Sequence, residues 1–73
     1  MIFLKKSFYF VVAWHDAKKY TDALRALDIP YVIETPEEIP SLQEGELAFV
    51  FPNLPIRIYV KVRMLFGTTG EPY

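Results

Sequence analysis

The sequence predicts an α/β domain (an α+β sandwich) of βαββ type, with one helix packed on one face of a four-stranded mixed sheet. Three observations predict it. Phe8 to Trp14 is an unbroken run of aromatic, β-branched and small apolar residues. The segment after it is patterned as a helix and lacks Gly and Pro. Short apolar or alternating runs then follow, punctuated by Pro30, Pro36, Pro40, Gly45, Pro52 and Pro55.

The first run is apolar on both alternating sets, Phe8, Phe10, Val12 and Trp14 against Tyr9, Val11 and Ala13, as in a central strand covered on both sides. His15 or Asp16 then suits the start of a helix reaching about Leu27, with Ala17, Tyr20, Ala23, Leu24 and Leu27 on one stripe. Asp28-Ile29-Pro30 stops that helix, because the residue before proline is pushed out of the α region. Tyr31-Val32-Ile33 reads as the second strand. If it shares a sheet with the first, a right-handed crossover makes the two parallel and brings both carboxyl ends, with the amino end of the helix, to one edge.

Thr35 to Gly45 reads as a loop with one helical turn begun at Thr35-Pro36-Glu37-Glu38. Leu47 to Phe51 is a third strand. Pro52-Asn53-Leu54-Pro55 has turn chemistry, and beyond it Ile56, Ile58, Val60, Val62 and Met64 alternate with Arg57, Tyr59, Lys61 and Arg63, as in a half-wet hairpin strand. Residues 1–66 form one domain on this reading. Residues 67–73 lack a core pattern and read as a flexible C-terminal tail.

Composition bounds the function. A chain of 73 residues buries only about 60% of its unfolded surface and needs a staple or a partner. With no cysteine and one histidine, disulfides, Cys-ligated zinc and iron–sulfur sites are excluded, and a usual structural zinc site is not expected. Hydrophobic residues make up 52% of the chain, so some must find a partner, and a net charge of −1 neither attracts nucleic acid nor keeps copies apart. Lys5-Lys6 and the apolar run imitate a secretory leader, but the run is too short and too aromatic, and nothing approaches the ~18 apolar residues of a membrane span. A soluble cytoplasmic protein is expected.

One helix cannot cover four strands, so the second sheet face should be open and apolar, and such a patch marks an interface. Tyr9, Val11, Ala13 and Tyr59, with the N-terminal Ile2, Phe3 and Leu4, are the expected contact residues of a homo-oligomer, a dimer first. A different class of function would use the strand-end edge. His15 and Asp16 fall there with Glu34 and Glu37, where a small ligand or a divalent metal could bind. Helix capping is the simpler reading of His15-Asp16. Residues 34–46 hold five Glu and no base, net −5, whereas residues 1–33 and 47–73 are each net +2; the acidic stretch lacks calcium-loop spacing and reads as a solvated loop. Arg57, Tyr59, Lys61 and Arg63 would form a basic, aromatic stripe able to follow single-stranded nucleic acid, but three charges are few and edge strands carry bases anyway, so nucleic acid is not the expected partner.

Val12-Ala13-Trp14-His15-Asp16-Ala17, Leu27-Asp28-Ile29-Pro30 and Ile33-Glu34-Thr35-Pro36-Glu37-Glu38-Ile39 give residues 8–51 a resemblance to the small selenium- or sulfur-carrier-like βαββ family. The resemblance implies the strand, helix, strand and proline-bearing loop already read above. That family's loop ends in Cys-Gly, where this chain has Glu44-Gly45, so the thiol of a carrier is missing and the chemistry does not follow. The expectation is a non-enzymatic interaction or regulatory module, with no catalytic residues, cofactor or metal.

Overall fold

The computed structural model describes residues 5–73. The elements are β1 (Lys6–Ala13), a 3₁₀ turn (Trp14–Asp16), α1 (Ala17–Ala26), β2 (Val32–Glu34), β3 (Glu46–Pro52), α2 (Ile56–Phe66) and β4 (Glu71–Pro72). They form an α+β fold with a single four-stranded sheet in the order β2-β3-β1-β4. The α+β class and the number of strands agree with the sequence reading, as do β1, α1, β2 and β3 to within two residues, but the fourth strand is a different segment.

Three details of that reading are corrected. The sheet is antiparallel throughout rather than mixed. β1 and β2 do run the same way, but β3 lies between them, which makes a split βαβ unit. The full βαββαβ order is the ferredoxin-like arrangement. Ile56–Phe66, expected as a hairpin strand, is a second helix. The reason is topological: β1 and β2 occupy both edges of β3, so a strand turning straight back from β3 has no edge to pair with. The same residues also satisfy a helical template, with Ile58, Val62, Leu65 and Phe66 inward. Gly67 ends the helix in the left-handed region, φ 72°, its N–H donating to the Arg63 carbonyl at 2.8 Å.

The third correction concerns residues 67–73. Glu71 and Pro72 form the fourth strand, paired with Tyr9 and Phe8 of β1, and the Tyr73 N–H donates to the Ser7 carbonyl. Gly70 makes this possible. A Cβ there would lie 2.9 Å from the Tyr9 carbonyl oxygen and 3.1 Å from the Phe10 ring, so only glycine lets the strand close on β1.

Both helices pack on one sheet face. Phe8, Phe10, Val12, Phe49 and Phe51 point to them and meet Leu24 of α1 and Val62 of α2. Phe66 stacks on Phe10 and Tyr20, each at 4.5 Å between ring centroids, and closes the gap between the two helices. Helices stand well off a sheet, and aromatic side chains fill that distance. No helix among the described residues is long and apolar enough to cross a membrane.

Candidate interaction surfaces

The second sheet face was expected to be open, and most of it is covered. Ile39 and Leu42 of the 35–45 loop pack on Ala48 and Val50, with Tyr9 and Val32 alongside. The loop holds its shape by satisfying its own backbone. The Thr35 hydroxyl and N–H both donate to the Glu38 carboxylate, the N–H at 2.7 Å, and the hydroxyl oxygen accepts the Glu37 N–H at 3.3 Å, which is the carboxylate half of a capping box around a single turn. The Leu42 N–H donates to the Ile39 carbonyl, and Gln43 and Glu46 bond to each other through two N–H donors. The helical turn expected at Thr35 is therefore present, and the apolar pair that follows it, Ile39 and Leu42, was the available signal that this loop covers a core.

A polar strap crosses the same face. Glu34, 5% exposed, ion-pairs with Lys6 and accepts the Tyr73 hydroxyl proton at 2.8 Å, while the Lys6 ammonium also reaches the Tyr73 oxygen at 3.3 Å. The Glu34 carboxylate, then the Tyr73 oxygen, holds the Lys6 ammonium pKa above its usual value. The hydroxyl and backbone N–H of Thr35 lower that of Glu38. What stays open on this face is the strip along the second half of β1. Val11 is 41% exposed and Ala13 half-buried beside its cross-strand partner Glu46; just beyond the strand end Trp14 is 63% exposed, its backbone N–H donating to the Gly45 carbonyl.

The residues singled out in the sequence are thus redistributed. Tyr9 is half-buried under Tyr73, at 6.1 Å between centroids. Tyr59 does not share a face with Tyr9 and Val11: it lies on α2, edge-on to Phe8 at 5.2 Å on the helix side. Ile2, Phe3 and Leu4 lie outside the described residues. His15 and Asp16 sit at the expected sheet end, 3.8 Å apart, but Asp16 makes no side-chain capping bond. Glu34 is committed to the strap and Glu37 is exposed on the loop. Among the described residues no group of three or more His, Asp or Glu could hold a metal ion. The proposed basic stripe is split, because on a helix Arg57 and Lys61 fall on one side while Tyr59 and Arg63 pair on another, the guanidinium 5.9 Å from the ring centroid.

The outward side of α2 is the second open surface. Ile56, Val60 and Met64, spaced by four, are 71%, 44% and 77% exposed and form an apolar ridge. Arg57, Lys61 and Arg63 flank it, the helix has no acid, and no carboxylate pairs with any of the three among the described residues. A shallow cavity of about 480 Å³ between Val60, Met64 and the 67–69 turn continues the ridge. Another, of about 450 Å³, opens between Phe8, Tyr59 and Pro72. Comparison of the chain with protein-family models, with curated proteins and with solved structures finds no match.

Proposed function

We propose that this chain is a non-enzymatic interaction module of the cytoplasm that works as a homo-oligomer, with a dimer as its smallest unit. The observation that carries this reading is the exposure of large apolar side chains on a domain too small to waste them: Val11 on the loop side of the sheet, Trp14 at the sheet end against Gly45, and Ile56 and Met64 on the helix side. Scattered apolar residues such as Leu27 and Ile33 need no explanation, but Ile56, Val60 and Met64 form a line bordered by bases, and Trp14 lies against Gly45 between two Glu. The assembly surface moves accordingly. It is the β1 strip next to the acidic loop and the α2 ridge, in place of a whole open sheet face. Light scattering on a size-exclusion column tests the reading. The expected mass exceeds one chain and rises with loading concentration, and a monomer at every concentration rejects it.

A further inference from the structure

Charge divides this molecule by layer. The two helices carry six Lys and Arg and one Asp, net +5, and lie on one side of the sheet; residues 34–46 carry five Glu, net −5, and the loop they form lies on the other. Each layer also borders an open apolar site. On the helix side Met64 and Ile56 stand between Arg57, Lys61 and Arg63. At the end of the loop layer Trp14 lies against Gly45, which Glu44 and Glu46 flank, and its backbone N–H donates to the Gly45 carbonyl; Val11 is the open residue of β1 on the loop face.

A two-fold contact brings a surface against its own copy. Through α2 it would set three bases against three bases with no acid to offset them, and through the loop layer it would set Glu against Glu. Like charges across an interface cost affinity, and opposite ones both favour and orient the encounter. Building on the proposed self-association, we propose that the occupant of the α2 ridge is the Trp14 strip of a second copy, so that the chain associates head to tail, basic helix layer on acidic loop layer. Such a contact leaves one surface of each kind free at the ends. It therefore extends into a ring or an open row instead of stopping at a symmetric pair.

Two single variants and their mixture test this. Met64→Glu spoils the helix-side surface and Trp14→Lys the loop-side surface; both side chains are mostly exposed, so folding should survive, which far-ultraviolet circular dichroism checks. Sedimentation velocity is run at about 0.01 M salt, where charges act over about 30 Å, and at about 1 M, where they act over about 3 Å. Wild type should form species larger than a dimer at low salt and shrink at high salt. Each variant alone should be a monomer, and an equimolar mixture should double in mass, because each copy supplies the surface the other lacks, and stop there. If wild type associates but the mixture stays monomeric, or if either variant alone still dimerises, the head-to-tail contact is wrong while self-association stands. If wild type is monomeric at low salt, both readings fall, and an anionic partner, tested with vesicles of acidic phospholipid, becomes the occupant of α2 instead.

Discussion

The two faces of the sheet are closed by different means. The helix face is filled by rings: Phe8, Phe10, Phe49, Phe51, Phe66 and Tyr20 meet at centroid distances of 4.5 to 6.0 Å. The loop face is closed by an irregular segment lying close on the small residues Ala48 and Val50, with a polar strap of Lys6, Glu34 and Tyr73 across it. The distance of the covering layer sets the size of the side chain beneath it. A helix must be reached by large residues, whereas a loop can follow the sheet and needs its own backbone bonds satisfied instead.

The sharpest way to break this contrast is to empty each face in turn. Phe49→Ala removes a fully buried ring from the helix face and should cost about 3–5 kcal/mol, most of the stability of a domain this size, in urea unfolding. Leu42→Ala on the loop face should cost about 2 kcal/mol, the low end for such a change, because an irregular loop can settle into the space. Equal losses would mean that the loop is as rigid a cover as the helices. Gly70→Ala should destabilise by about 1–3 kcal/mol and release β4, seen as loss of amide protection at Glu71 and Tyr73, since the added carbon meets backbone at 2.9 Å. Tyr73→Phe keeps the ring on Tyr9 but removes the hydroxyl between Lys6 and Glu34, and about 1 kcal/mol should be lost.

The smallest effect is the dependence on pH. Lys6 has its pKa raised in the folded chain, so its contribution is fully present below the ordinary lysine value of 10.5 and is lost as pH rises through the higher folded value. Glu38 has the opposite sign: lowered in the folded chain, it contributes above the ordinary 4.5 and loses that contribution as pH falls through its folded value. Thermal melts of wild type should therefore decline above about pH 10.5 and below about pH 4.5. Lys6→Met should flatten the alkaline decline and Thr35→Ala the acid one, and unchanged curves would show that neither bond forms in solution.

Much of the fold was legible in local chemistry. The two-faced apolar run of β1, the end of α1 ahead of Pro30, the Thr35 turn and the apolar β3 were each legible in residue types, although α1 is closed by a left-handed Asp28, φ 57°, whose N–H donates to the Arg25 carbonyl, and not by the proline itself. Ile56–Phe66 was misread because its period-two alternation is the louder of two valid patterns. The quieter signals were Pro55 before the segment and Gly67 after it, the usual brackets of a helix. The interaction surface was legible only as a surplus. Composition required apolar residues to remain outside, but Tyr9 is covered by Tyr73 and the 35–45 loop, and once the last long element became a helix Tyr59 moved inward and Ile56, Val60 and Met64 outward.

The sequence alone thus determined the class of the fold, the elements β1, α1, β2 and β3, and the segregation of acid into residues 34–46. Tertiary structure decided the rest. Filling both edges of β3 left the next segment no strand to pair with, so it became the second helix; the chain end then took the vacant edge of β1, through a glycine that alone fits there. Which face a charged loop covers, and so which layer of the molecule is acidic, depends on strand order, and strand order is set by competition among edges that no single segment encodes.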